Sequence, residues 1–290
     1  MEPNDSSALV LGPAGRASTR VPGAPRLSAA CAAPLREIAA GDDQGVTQML
    51  QVPIERPLTL VVDGREIVTL MTLGAAPEWL ALGYLRNQRL IDDVTEIRSV
   101  EVDWTLGVAR VISQLGDLGG RAPTTPLGCG LGTAFGDAPH RFDVLVPVTA
   151  ATTPQAAIFA VLDSMRRHDA IHRAAGSVHS CALFQGDELW VAVEDVSRHN
   201  GVDIISGFMG LHGVDGAGKI LFTTGRLTGE MVMKAAHNGI SVMISRNGTT
   251  ALGYELAAKL GMTLIGRAAK GRYLCYIGAD RIARDAAGIT

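Results

Sequence analysis

From residue 176 onward the chain repeats one pattern, an apolar run followed by a dense polar cluster. The run at 181–184 leads to a second at 189–193, and that ends in Glu194-Asp195-Val196-Ser197-Arg198-His199-Asn200. The run at 220–222 ends in Thr223-Thr224-Gly225-Arg226-Leu227-Thr228-Gly229-Glu230, and the run at 240–244 in Ser245-Arg246-Asn247-Gly248-Thr249-Thr250. Short apolar runs are strands, and polar clusters before a helical period are helix starts. Repeated in this order, they predict an α/β/α layered domain whose polar groups gather at the strand ends.

The remaining expectations follow in chain order. Residues 1–45 are rich in Ala, Pro, Gly and Ser without a durable period, and read as a flexible extension. A smaller α+β domain is expected over 46–148. It begins with strands at 58–62 and 67–72 around an Asp63-Gly64 hairpin turn, followed by a helix from Pro77 and strands near 94–104 and 108–113. The layered domain is expected over 149–290. Its helices are expected at 154–166 (capped by Thr152 or Thr153), from 203, at 228–237 and at 251–260, and its last strands at 263–266 and 273–277.

Between the two domains, residues 116–140 hold many glycines and prolines and little apolar period. Long loops of this kind in compact proteins are usually functional or disordered. At the centre Cys129 stands between Gly128 and Gly130, with Gly132 beyond. A thiol so flanked is expected to be exposed and able to move, unlike a buried structural cysteine.

Composition narrows the function. Hydrophobic residues make up 47% of the 290, enough for a sizeable core, while aromatics at 4% argue against a base-stacking surface. The net charge of -3 gives no general attraction to nucleic acid. The four cysteines, Cys31, Cys129, Cys181 and Cys275, form no C-x-x-C, so neither a structural zinc site nor a dithiol pair is signalled. No signal-peptide core or membrane-spanning run is present in the sequence, and the expected location is the cytoplasm.

Three motifs compete for attention. Gly213-Val214-Asp215-Gly216-Ala217-Gly218-Lys219-Ile220 nearly matches a phosphate-binding loop, but Ile220 replaces the magnesium-holding Ser or Thr and the loop precedes a strand. His179 and Cys181 would share a strand face, as a base and nucleophile or as a pocket-mouth histidine above a small buried hydrophobe. The corner at Gly225-Arg226, with Thr228 and Glu230 opening a helix, suits an anion, since arginine offers a planar fork and helix starts offer N–H donors. Glu230 would orient Arg226 or cap the helix. Three such corners suggest one composite pocket for a phosphate-bearing ligand, with Arg198, Arg226, Lys234 and Arg246 supplying positive charge.

Glu194 to Asn200, followed by Val202-Asp203, closely resembles the hallmark segment of the formate dehydrogenase accessory sulfurtransferases, the FdhD family. Thr224-Gly225-Arg226 with Glu230 and Lys234 is similar to that family too, as are Ser245 with Thr250 and Leu252, the 263–266 strand, and Gly176 and His179 ahead of Ala182-Leu183. Leu82-Gly83-Tyr84-Leu85 with Leu90-Ile91 resembles its N-terminal helix, and in all the resemblance spans roughly 50–280.

The resemblance implies a cytidine deaminase-like fold for the larger domain and a homodimer. It implies a carrier that takes sulfur from a cysteine desulfurase on Cys129. The acceptor would be molybdenum bis(guanylyl) cofactor, bound as substrate, on behalf of the formate dehydrogenase catalytic subunit. A guanine nucleotide such as GDP would occupy the same pocket. That pocket would draw on His179, Arg198, His199, Asn200, Asp203, Thr224, Gly225, Arg226, Glu230, Lys234, Ser245 and Thr250, with Arg226 and Ser245 on phosphate or ribose. No zinc is expected, because the deaminase ligand motifs are missing; no nucleic acid or membrane partner is expected either. A binding chaperone without sulfur transfer, or a nucleotide or amide hydrolase using Cys181 or His179, are the alternatives. The sequence departs from the family pattern at Gly132, where a second loop cysteine is usual, at Gln88-Arg89, at Ser197 and Thr249, and at Arg267, which replaces an aromatic.

Overall fold

The computed structural model describes residues 8–114, 116 and 146–284. Cys129 and nearly all of the 116–140 loop lie outside the described residues. The first half comprises β1 (Leu9–Leu11), α1 (Pro13–Ala17), β2 (Arg26–Leu27), β3 (Leu35–Gly41), β4 (Thr47–Pro53), β5 (Arg56–Val62) and β6 (Arg65–Thr72). It continues through α2 (Pro77–Asn87), β7 (Ile97–Asp103) and β8 (Val108–Ser113). A five-stranded sheet runs in the order β2-β7-β8-β5-β6, and β3 and β4 form a separate hairpin. The β5–β6 turn has φ of 47° at Asp63 and 83° at Gly64, the left-handed pair that a tight hairpin demands and Asp-Gly supplies.

The reading of residues 1–45 as a flexible extension is corrected for residues 9–41. β1 pairs antiparallel with a strand of the second half, Leu9 opposite Val193, and β2 pairs with β7. What holds the start of the chain is backbone proximity more than apolar pattern. A Cβ on Gly12 would lie 1.9 Å from the carbonyl oxygen of Leu189, and one on Gly15 2.0 Å from that of Trp190. Small residues let this segment lie flat on a strand, and a periodicity search does not see that.

The second half contains β9 (Thr153–Pro154), α3 (Gln155–His168), α4 (Ala170–Ala175), β10 (His179–Gln185), β11 (Glu188–Asp195) and α5 (Arg198–His212). It closes with β12 (Lys219–Thr223), α6 (Gly229–His237), β13 (Val242–Ser245), α7 (Ala251–Lys259), β14 (Thr263–Ala269), β15 (Arg272–Ile277) and β16 (Ile282–Ala283). Neither Thr152 nor Thr153 caps α3, whose N-cap is Pro154. One mixed sheet runs β1-β11-β10-β12-β13-β14-β15, with β12, β13 and β14 parallel. Alternate strand residues point to opposite faces. Phe184, Phe222, Ile244 and Ile265 pack with Ile158, Val161 and Met165 of α3 on one face. Leu183, Leu221, Met243 and Leu264 pack with α5, α6 and α7 on the other. The architecture is mixed α/β, with helices on both faces of the large sheet.

That second core is continuous with the first half, since it includes Leu58, Leu80 and Val100. α2 crosses α5 at backbone distance, for a Cβ on Gly83 would sit 1.7 Å from the Asp203 carbonyl oxygen and one on Gly207 2.0 Å from that of Trp79. Any larger residue at either glycine would push the helices apart.

Candidate functional site

The polar clusters of the sequence do meet, at the C-terminal ends of β11, β12 and β13 and the start of β10. Their members divide into groups that hold the corner together and groups that face outward. Glu194 and Asp195 belong to the first kind. Both are essentially buried. Glu194 accepts from the N–H groups of Ile171 (2.8 Å) and His172 (2.9 Å), so it serves the unpaired donors at the start of α4. Asp195 accepts from the Thr72 hydroxyl (2.5 Å), Leu73 N (3.0 Å), Asn200 Nδ2 (2.8 Å) and Ser197 N (3.1 Å). Burial raises the pKa of both carboxyls, and these donors oppose the shift. Asp195 thereby ties the end of β6 to the start of α5.

A buried polar chain extends from this corner. Lys234 Nζ lies 2.8 Å from Asp203 Oδ2, with both side chains almost fully buried. Burial disfavours the ammonium, but Asp203 and Glu230 outweigh it and raise the pKa of Lys234. Asn87 Nδ2 donates to Asp203 Oδ1 at 2.7 Å, and Asn238 Nδ2 donates to Asn87 Oδ1 at 3.0 Å. Ser206 and Arg86 both donate to Asn238 Oδ1, at 2.8 and 3.1 Å. At the outer end Glu230 lies 3.5 Å from Lys234 Nζ and 3.3 Å from His199 Nδ1. Lys234, expected to add free positive charge to a pocket, is instead neutralised within this chain. Glu230 thus contacts His199 and Lys234.

The outward groups are cationic. The Arg226 side chain is exposed, and Arg198, His199 and His179 are partly buried beside it. The Arg198 chain fits because residue 225 is glycine, whose Cβ would fall 2.6 Å from Arg198 Cδ. Burial, then the nearby Arg226, lowers the pKa of Arg198, and among the described residues its buried Nε has no hydrogen-bond partner. His179 is likewise lowered, by burial and then by Arg198, His172, His199 and Arg226. Its Nδ1 lies 3.5 Å from Thr224 Oγ1, which accepts from Ser180 N at 3.0 Å. Two guanidiniums that disfavour each other, one with an orphaned N–H, suit an arriving anion.

The third corner is scaffold. Ser245 is fully buried and is not positioned to touch phosphate or ribose. Its hydroxyl donates to the Gly225 carbonyl oxygen at 2.6 Å and accepts from Asn247 N at 2.8 Å. Asn247 Nδ2 donates to the Thr224 carbonyl oxygen at 2.7 Å, so two corners are bolted together. Thr250 caps α7 by accepting from Gly253 N. Arg246 pairs with Asp169 at 2.9 Å and lies over the Phe222 ring, away from the other cations' role. Asn200 is committed to Asp195 and to the Met71 carbonyl oxygen.

The hydrolase alternative loses its nucleophile. Cys181 is completely buried, its Sγ lies 3.3 Å from Thr223 Oγ1, and burial pushes its thiol up to about 12. The 213–220 segment forms the turn from α5 into β12, and Lys219 lies over the Trp190 ring and bonds Gln185. Among the described residues, no group of three or more His, Cys, Asp or Glu is placed to hold a metal ion, and no helix is long and apolar enough to cross a membrane. Sequence reasoning missed Asn87, Ser206, Asn238 and Thr72. Asn87 and Asn238 sit at helix ends, where a polar residue reads as a simple cap, and nothing in the sequence brings them together.

Known proteins resemble this chain. A family model described as FdhD-NarQ, the FdhD/NarQ family, matches residues 53–283. The sulfur carrier protein FdhD of Bacillus licheniformis is 31% identical over 250 residues, covering 82% of this chain and 92% of its own. That of Bacillus subtilis is 29% identical over 254 residues, covering 85% and 93%. A crystal structure described as a formate dehydrogenase accessory protein from Desulfotalea psychrophila superposes with a TM-score of 0.70 at 26% identity, covering 86% of this chain and 98% of that one.

Proposed function

The chain belongs to the FdhD/NarQ family, and from that membership we propose that it is a sulfur carrier serving formate dehydrogenase maturation. Cys129 accepts sulfane sulfur from a cysteine desulfurase. Its thiolate attacks the outer sulfur of the donor persulfide, the donor S–S bond breaks, the donor thiolate leaves, and a new S–S bond forms on Cys129 without net oxidation. The sulfur then passes to the molybdenum bis(guanylyl) cofactor, bound as substrate. Without a cysteine at position 132, the persulfide has no neighbour in the loop with which to form a disulfide.

The observation that carries the binding half is the exposed Arg226 beside the half-buried Arg198, with His179, His199, Thr224 and Gly225 around them. In this reading these groups receive a guanylyl phosphate. Glu230, Lys234 and Asp203 hold His199 in place, Asn200 and Ser245 hold the corners, and Thr250 supports α7. The layered half, 149–290, is then a cytidine deaminase-like cofactor domain, a reading supported by the mixed sheet covered on both faces. Residues 46–148, with the 116–140 loop, form the carrier domain. The protein acts in the cytoplasm as a homodimer, with the desulfurase and the formate dehydrogenase catalytic subunit as partners.

Intact mass after incubation with desulfurase and cysteine should show about 32 Da added, the mass of one sulfur, and none in Cys129→Ser. That variant should still bind GDP, whereas Arg226→Ala should bind it more weakly by about 1.5–3 kcal/mol. Formate dehydrogenase matured at the normal rate by Cys129→Ser would reject the carrier role and leave a binding chaperone in its place.

A further inference from the structure

On the α3 side of the sheet, away from the Cys181 face, lies a cleft of about 460 Å³ between α3 and the β14–β15 turn. Its walls include Phe159 and Tyr273, whose rings stand 5.8 Å apart, and Gln155, which fixes Tyr273 by donating to its hydroxyl at 2.8 Å. Arg267, Arg272 and Arg284 line the same cleft. Among the described residues, none of these three guanidiniums has an ion pair or a side-chain hydrogen bond, and all three residues are exposed. The volume lies in the range of small-molecule sites.

The placement of Arg267 is itself informative. The β14–β15 ladder loses register between Gly266 and Ala269, and Arg267 takes a φ of 50° there. Left-handed backbone is costly for a residue with a side chain, and glycine would hold it more easily. A bulge re-aims its side chain, and here it turns a guanidinium toward the cleft.

We propose that the cleft is a second anion site, taking a small phosphorylated ligand with a flat ring. The ring lies against Phe159 and Tyr273, and the phosphate is held by the three arginines. The two rings meet at 53° as one tilted pair whose partly exposed surface suits a planar group, and planar guanidinium forks lining the same cleft favour an oxyanion with several acceptors. The site goes beyond the proposed carrier function and does not depend on it.

Calorimetry on the full chain tests this with AMP and with inorganic phosphate as separate probes. AMP should bind the wild-type protein and Arg226→Ala alike. Arg267→Ala should weaken AMP about tenfold, and Arg272→Ala combined with Arg284→Ala should do so by more than that. Inorganic phosphate should bind more weakly than AMP, reporting the share of the ring. Circular dichroism confirms that the variants are folded. No AMP binding at millimolar concentration in the wild type would overturn the proposal. So would binding that survives the arginine variants, or binding that Arg226→Ala abolishes. Measured in the Arg272→Ala/Arg284→Ala background, GDP binding lost on adding Arg226→Ala tests the corner pocket alone, so the two readings fail separately.

Discussion

At the end of β11 the chain buries two carboxylates, each meeting several donors, while at the end of β12 it leaves the guanidinium of Arg226 in solvent with a partly buried Arg198 behind it. Both corners read alike in sequence, as an apolar strand running into a polar cluster. In three dimensions the acids are internal fasteners and the bases form an outward surface. A hallmark segment thus mixes two kinds of constraint. Glu194 and Asp195 fix where α4, α5 and β6 meet, and only with that junction in place do Arg198 and Arg226 stand close enough to disfavour each other.

The comparison breaks most readily at the buried pair. Lys234→Ala takes the cation away from the buried Asp203 carboxyl, and should cost about 3–5 kcal/mol of stability in urea unfolding. Arg226→Ala, on the exposed side, should stay within about 0.5 kcal/mol. Similar losses in the two variants would erase the distinction between fastener and surface.

Acid stability offers a second, smaller measure. His237 lies near Arg86 and Arg89, and burial followed by those two charges depresses its pKa from 6.5 to about 4. The folded protein keeps it neutral, so below about pH 6.5 only the unfolded chain takes up the proton. Stability from this group is therefore present above pH 6.5 and lost as the pH falls toward 4. Between pH 7 and 4.5 it amounts to about 2 kcal/mol, allowing for its partial exposure. His237→Leu should flatten that part of the stability profile; an unchanged profile would remove His237 from the account.

The smallest effect sharpens the outward surface. Arg226 is among the charges that depress His179, so Arg226→Ala should move the His179 titration upward in an NMR pH series. An unmoved titration would place Arg226 too far away to share one ligand with it.

Much of the layered half was legible because its strands are short apolar runs with polar ends, and each expected strand from 181 to 277 is present. The expected polar clusters do lie at one end of the sheet, but the orientation of their side chains was not legible. Ser245 and Arg226 each follow a strand, and only the three-dimensional path shows that one hydroxyl is locked to Gly225 while one guanidinium is free to meet solvent. Lys234 looked like pocket charge because its partner Asp203 lies on a different helix. The start of the chain was misread for a different reason. Gly12 and Gly15 contribute through the side chains they lack, and composition records such residues as looseness.

The pairing of β1 with β11 bears on the order in which the protein is made. Leu9 leaves the ribosome long before Val193, its neighbour in the finished sheet, has been translated. The edge of the large sheet must therefore wait for most of the chain, and the loop to be closed is among the longest the topology contains. Until then the edge of β11 has no strand to cover it, and the growing polypeptide carries residues 9–11 without their partner strand. In the finished protein that same segment is a late-fitted seal, set in place after the strands and corners it covers have been synthesised.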